Sequence, residues 1–178
     1  AKNTIVCGHR GGYYLDFPEN SLSLLEYVLE NNAGVPIMFE IDIREDKDGN
    51  LWLLHDNTLD RTTDHTGEIS KFSTEQIKNI RLKNQKGNIT NEHIPSLKDL
   101  IHWSSSKNVY LMLDIKGNIF GKTITQINDS GIADHCLILT FSPERTQDVY
   151  KLSQKGIISA LVNNENDYKT VLKYNIPK

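Results

Sequence analysis

The run from Phe39 to Asp56, FEIDIREDKDGNLWLLHD, constrains the fold more than any other stretch. Phe39, Ile41 and Ile43 alternate with Glu40 and Asp42, so a strand here puts the apolar side chains on one face and both carboxylates on the other. Two uncompensated acids on one side of a buried strand cost roughly several kcal/mol, and a cation between them is one way to offset that. Between Asp46 and Asn50 there is no room for a helix, and Asp48-Gly49 is a tight-turn pair. A parallel crossover needs about a dozen residues, so the chain is expected to return as a hairpin. A two-residue turn pairs Lys47 with Asn50, Ile43 with Leu54 and Asp42 with His55, which sets the imidazole beside the carboxylates. A cramped parallel return without a helix is the competing layout, and it also leaves His55 at a strand end.

The remaining pattern alternates strand and helix. A strand from Ile5 ends in a Gly-rich turn carrying His9 and Arg10. Asn20 is expected to cap a helix with Leu22, Leu25 and Leu29 on its apolar stripe, closed at Asn32-Ala33-Gly34. Residues 57–108 form a long excursion: a loop around Leu59–Thr63, a short helix from Ser73 with Gln76 closing a capping box, a polar mobile segment 83–92, and a helix over 97–103. Val109–Lys116 is a strand, apolar until Asp114 and Lys116, which share a face. A helix around Ile124 and Ile127 follows, then a strand over 136–141. Ser142-Pro143 opens a helix to about Gln154. A strand over 157–162 and a helix from about Asp167 to Tyr174 end the pattern. Such alternation predicts a parallel sheet or a (β/α) barrel. A chain of 178 residues suits one domain, 1–178. Eight-unit barrels typically take about 200 residues or more, so the expectation is a barrel lacking its last two strands.

Composition narrows the partners. The net charge is -3 and no Lys/Arg run stands out, which excludes the basic footprint of a nucleic-acid binder. No apolar run approaches the ~18 residues of a transmembrane segment. The sequence opens Ala1-Lys2-Asn3 without Met; a removed leader would place the protein in the periplasm or outside the cell, and otherwise in the cytoplasm. Cys7 and Cys136 have no metal spacing and are expected as buried free thiols. Asp46-x-Asp48-Gly49-Asn50 lacks the later residues of a calcium loop and reads as a turn. His65, His93, His102 and His135 read as solvated.

Strand exits thus carry His9 and Arg10, Glu40 and Asp42, His55, and Asp114 with Lys116, where barrel enzymes place their chemistry. His9-Arg10-Gly11, Pro18-Glu19-Asn20-Ser21, Glu40-Ile41-Asp42, Asp48-Gly49, His55-Asp56, Leu59-Asp60-Arg61-Thr62-Thr63, Gly67, Ile94-Pro95-Ser96-Leu97 and Asp114-Ile115-Lys116 resemble the glycerophosphodiester phosphodiesterase family in order and spacing, over about residues 5 to 117. The resemblance implies a TIM-type barrel that hydrolyses a small glycerophosphodiester to glycerol 3-phosphate and an alcohol with one bound Mg²⁺ or Ca²⁺. It maps the catalytic histidines onto His9 and His55 and the metal ligands onto Glu40, Asp42 and Asp114. The third acid is usually Glu; Asp114 loses about 1.5 Å of reach.

The chemistry suits these residue types. A hard cation on carboxylates offsets the charge that develops on a phosphate. Arg10 offers two parallel hydrogen bonds to phosphate oxygens and Lys116 a point charge. Two histidines divide the proton work, with His55 read as base and His9 as acid. Other readings stand beside this one. Glu40 and Asp42 could be paired with Arg10 and Lys116 in a purely structural network. A lysophospholipase-D- or sphingomyelinase-D-like enzyme would differ in its acceptor pocket, and Tyr13, Tyr14 and Phe17 near the first loop suit either enzyme. A non-catalytic phosphate-binding fragment is the third.

Overall fold

A computed structural model describes residues 4–153, 157–160 and 163–173. In chain order its elements are β1 (Val6–Gly8), α1 (Leu22–Asn31), β2 (Ile37–Glu45), β3 (Leu51–Leu53), α2 (Thr74–Ile77), β4 (Arg81–Lys83), β5 (Ile89–His93), α3 (Leu97–Ser104), β6 (Tyr110–Ile115), α4 (Phe120–Ser130), β7 (Cys136–Thr140), α5 (Pro143–Leu152), β8 (Ile157–Ala160) and α6 (Glu165–Lys173). The expected extensions to Gln154, Val162 and Tyr174 lie outside the described residues.

The sheet is assembled on β2, whose Phe39, Ile41 and Ile43 are fully buried. β6 runs parallel along one edge of it, from Met38 opposite Tyr110 to Ile43 opposite Ile115. The other edge is divided. β1 runs parallel along Ile37–Phe39, and β3 returns antiparallel along Ile43–Glu45. The short stretch Glu40–Asp42 lies between them. β7 and β8 extend the sheet in parallel beyond β6, giving the order β1-β2-β6-β7-β8. Five parallel strands with intervening helices are the architecture that the alternation required.

The helices start where their caps dictate. Ser73 and Ser96 close capping boxes with Gln76 and Asp99, and Ser142 caps α5 with Pro143 at its first turn. For α1 the cap is Ser21, which accepts from the Leu24 N–H, and not Asn20 as expected. The main core joins Leu24, Leu25 and Val28 of α1 to the β2, β6 and β7 side chains and to Leu97, Leu100, Ile124 and Ile127. Fully burying each Leu or Ile contributes about 1.5–3 kcal/mol relative to leaving it exposed.

The excursion has a core of its own. Trp52, Leu54, Leu59, Ile69, Ile77, Ile80, Leu82 and Ile94 pack together beside the barrel arc. The segment expected to be mobile is instead the β4–β5 hairpin, with Arg81 opposite His93 and Lys83 opposite Ile89. Asn84 shapes its turn by accepting from the N–H groups of Lys86 and Asn88. Its polar composition reflects exposure and not a lack of structure, because both faces meet solvent over much of their length. Cys7, expected in the core, is exposed: β1 is an end strand, and its neighbours Ile5 and Val6 are exposed as well. Cys136 is buried as expected, and burial pushes its thiol up to about 12.

The β2–β3 hairpin differs from the expected register by one residue. Ile43 faces Leu53, Arg44 faces Trp52 and Glu45 faces Leu51. The turn holds three residues, Lys47, Asp48 and Gly49, because Asp46 closes it: its Oδ1 accepts from the N–H groups of Asp48 and Asn50 at 2.9 Å each. Gly49 takes the left-handed conformation (φ 87°) that a three-residue hairpin loop requires at its last position.

Candidate active site

His55 follows β3, Glu40 and Asp42 lie within β2, Asp114 lies near the end of β6 and Lys116 just past it. His9 and Arg10 occupy a single 3-10 turn after β1, which Gly11 permits: a Cβ there would sit 2.8 Å from Leu25 Cδ2. Arg10 has φ 50° and Asn20 φ 54°, the two non-glycine residues with positive φ among those described. Such backbone is costly unless its surroundings hold it, and it gathers at functional sites. Here the two are joined, since the Asn20 N–H donates to the Arg10 carbonyl at 2.8 Å.

Both strained residues serve the acids. The Arg10 N–H donates to Glu40 Oε2 at 2.8 Å. The Asn20 amide grips Asp42 twice: its Nδ2 donates to Oδ2 at 3.0 Å, and its Oδ1 accepts from the Asp42 N–H at 3.2 Å. Across the sheet, parallel register sets Asp114 directly opposite Asp42. One ligand oxygen from each of Glu40, Asp42 and Asp114 lies within 4.8 Å of the others. Two oxygens on one hard cation are separated by at most twice the metal–oxygen distance, about 4–5 Å, a spacing that these three oxygens approach.

The charge balance also fits a cation. Glu40 and Asp42 are 7% and 1% exposed. Burial pushes the Glu40 carboxyl up, the Arg10 N–H partly opposes this, and nearby Asp42 and Asp114 add to it. Lys116 Nζ stands 2.6 Å from Asp114 Oδ2 and 3.0 Å from Asp42 Oδ1. Burial would lower its pKa, but these carboxylates hold it raised and the ammonium charged. Arg10 Nε is 4.0 Å from Asp42 Oδ2. Two cations thus face three carboxylates. Among the described residues, Arg10 Nε donates no hydrogen bond, and Asp42 Oδ1 meets the Lys116 ammonium without good alignment. The donor set, three hard carboxylate oxygens, could hold a metal ion.

Of the two histidines, His9 stands beside the cluster. His9 is 75% exposed, with Nε2 3.9 Å from Glu40 Oε2. His55 lies one residue further from Asp42 than expected, because the Leu54 N–H, not that of His55, meets the Asp42 carbonyl. Its Nδ1 bonds Asp56 Oδ1 at 2.7 Å, and Arg44 Nε donates to its carbonyl at 2.7 Å. The hydrogen bonds of Arg61 and His55 hold Asp56 well below the usual carboxylate range, so the carboxylate accepts and Nδ1 carries the proton.

Clefts open on both sides. One of about 390 Å³ is lined by Cys7, His9, Arg10, Tyr13, Glu19 and Gln85. Another of about 340 Å³ is lined by Arg44, Asn57, Glu68, Ser70, Lys116 and Asn118. Tyr14 and Phe17 pack against Tyr27 of α1, and Tyr13 is left exposed.

Sequence reasoning left three contributors without a place in the site. Asn20 was legible only as a helix start, a position that Asn suits. Arg44 shares a face with Glu40 and Asp42 by the period of two, a signal that the alternation offered. Arg61 lies in a polar loop, where nothing local distinguishes it from a solvated arginine.

Fold and site together define the TIM-barrel class, with a candidate metal centre on the neighbouring strands β2 and β6. The model of the glycerophosphoryl diester phosphodiesterase family matches residues 9–176. The chain belongs to that family. Glycerophosphodiester phosphodiesterase 1 of Homo sapiens is 33% identical over 168 residues, covering 87% of this chain and 47% of that protein. The Bos taurus protein is 32% identical with the same coverage. The chain therefore spans about half the length of the curated relatives it matches. A crystal structure of a glycerophosphoryl diester phosphodiesterase from Parabacteroides distasonis superposes with a TM-score of 0.89 at 33% identity, covering 99% of this chain and 61% of that one. An Oleispira antarctica phosphodiesterase, solved with its product sn-glycerol-3-phosphate, shares the fold at a TM-score of 0.60 and 21% identity, covering 96% of this chain and 88% of that one.

Proposed function

We propose that this site hydrolyses glycerophosphodiesters to glycerol 3-phosphate and an alcohol. The reading is carried by the in-register pairing of Asp42 with Asp114, which brings three carboxylates together between two cations and two histidines. Glu40, Asp42 and Asp114 would hold one divalent cation, Mg²⁺ or Ca²⁺. Such an ion would supply Lewis-acid stabilisation of the charge that develops on the phosphate. Arg10 and Lys116 bind the remaining phosphate oxygens, and each stands at the rim of a different cleft. A diester has two arms, and this arrangement gives each arm its own side of the acid cluster.

The proton roles follow from the hydrogen bond at His55. With its Nδ1 proton donated to Asp56, Nε2 is the basic nitrogen and takes the proton of the attacking oxygen. His9, exposed on the opposite flank, gives a proton to the leaving alkoxide oxygen.

A second reading, a non-catalytic phosphate-binding module, draws on one observation: the Lys116 ammonium already bridges Asp42 and Asp114. One assay separates the two. Release of glycerol 3-phosphate should stop on chelation and return with Mg²⁺ or Ca²⁺. Glu40→Gln should remove most of the activity, and His55→Ala should lower kcat by about 10²- to 10⁴-fold. Turnover that survives both chelation and Glu40→Gln would sink the metal mechanism, and phosphate binding without turnover would favour the second reading.

A further inference from the structure

Beyond the acid cluster, the charged side chains at the mouth of the site join into one chain of ion pairs with Arg61 at its centre. Arg61 Nη1 and Nη2 donate to Glu19 Oε2 and Oε1 at 2.8 Å each. Its Nε and Nη2 donate to Asp56 Oδ2 and Oδ1 at 2.8 and 3.0 Å. Asp56 Oδ1 also accepts from His55 Nδ1, and Glu19 reaches Arg10 Nη1 at 3.4 Å. We propose that Arg61 is a positioning residue for the hydrolytic site, fixing the tautomer and orientation of His55 through Asp56 and holding Arg10 through Glu19. The roles of His55 and Arg10 in this inference rest on the function proposed above.

The network joins two distant parts of the chain, with Glu19 in one and Asp56 and Arg61 in the other. Glu19 belongs to the connection between β1 and α1, Asp56 follows β3, and Arg61 lies in the excursion. Without Arg61, among the described residues, no hydrogen bond or ion pair ties Asp56 to the first connection. A lysine could not replace it, because only the planar guanidinium presents parallel donors to two carboxylates at once. An isolated surface pair would deserve little weight. Here the carboxylate partners are only 15% and 25% exposed, and both are engaged through two oxygens. The geometry matches the way a carboxylate fixes a functional imidazole, with one further charge fixing the carboxylate.

The effect on the ring is specific. A carboxylate kept ionised accepts the Nδ1 proton and leaves Nε2 free of one, which is the form a general base needs. Loss of Arg61 frees Asp56 to turn away, and both tautomers of His55 then become available. On the other arm, loss of the Glu19 anchor lets the Arg10 guanidinium leave the phosphate position. One substitution should therefore act on turnover and on substrate binding together.

The test compares Arg61→Met, Arg61→Lys, Asp56→Asn and the Asp56→Asn/Arg61→Met double variant. Two measurements are made: steady-state release of glycerol 3-phosphate, and the NMR resonance of the His55 Nδ1 proton, assigned by its disappearance in His55→Gln. Arg61→Met should lower kcat about 10- to 100-fold and raise KM, and Arg61→Lys should recover only part of this. The double variant should be little worse in kcat than Arg61→Met alone, since both act through the same carboxylate. The His55 resonance should shift or vanish in Arg61→Met while the backbone amide spectrum stays folded. An unchanged His55 resonance with unchanged kcat overturns the proposal, as do kcat losses that multiply in the double variant. If Arg61→Met does not fold, the same resonance in Arg61→Lys decides. If the unmodified chain releases no glycerol 3-phosphate, the functional reading fails, and the resonance still decides whether Arg61 positions His55.

Discussion

Asn20 holds Asp42 with both halves of its amide, and it does so from a left-handed backbone that few side chains tolerate. Asparagine tolerates that conformation better than most residues and still presents a donor and an acceptor. Asn20→Ala removes two hydrogen bonds from a carboxylate that is 1% exposed and keeps the unfavourable φ. It should cost about 2–4 kcal/mol in urea denaturation, because buried charged groups left without partners are expensive. Asn20→Gly should recover only the backbone part of the loss. This residue also marks the limit of what the sequence revealed at its own scale. Glu40, Asp42 and Asp114 were legible because charge interrupts an apolar strand pattern, which is improbable without a purpose. Asn20 was not, because a polar residue ahead of a helix already has an ordinary explanation, and Ser21 turned out to be the cap. Arg61 was legible only as a loop residue, since two of its four hydrogen bonds reach Glu19, far away in the sequence.

The β2–β3 hairpin shows the same limit at the level of an element. Its existence followed from the shortness of the gap, but its register did not, because Asp48-Gly49 suits a two-residue turn as well as the end of a three-residue one. The side chain of Asp46 decides between them. It accepts from the N–H groups of Asp48 and Asn50, from Trp52 Nε1 at 2.8 Å and from Thr74 Oγ1 at 2.7 Å, while only 3% exposed. Burial pushes this carboxyl up, and these hydrogen bonds more than reverse it. Asp46→Ala should therefore destabilise the fold by about 2–4 kcal/mol, read from denaturant midpoints, and should alter the near-UV circular dichroism that reports the Trp52 environment. The β4–β5 hairpin was missed for the opposite reason. Exposed strands carry few apolar residues, so the period of two has nothing to alternate.

For the molecule as a whole, the parallel architecture was the most legible level, because alternation of strand and helix leaves few ways to cover both faces of a sheet. Its charge distribution sets its behaviour in acid. Burial alone would push Asp64 up, but hydrogen bonds from His65 and Arg81 bring it to about 2, and Asp56 is likewise depressed. A carboxylate held below its unfolded value, about 3.9, adds stability that is full above that pH and is lost as pH falls through the folded value. Stability from denaturant titrations should thus be level from about pH 7 to 5 and fall between about pH 4 and 2, with Asp64→Asn flattening part of that fall. The divided edge of β2 has a consequence in time. Closing the β2–β3 hairpin needs only a short loop, an event of about 1–10 μs, whereas β6 cannot pair until the whole excursion between them has been closed. Glu40 and Asp42 should therefore be in place before Asp114 docks against their like charge. Lys116 follows Asp114 by two residues, just past β6, so the segment that docks late carries its own counter-ion and adds no net charge to the acids already waiting.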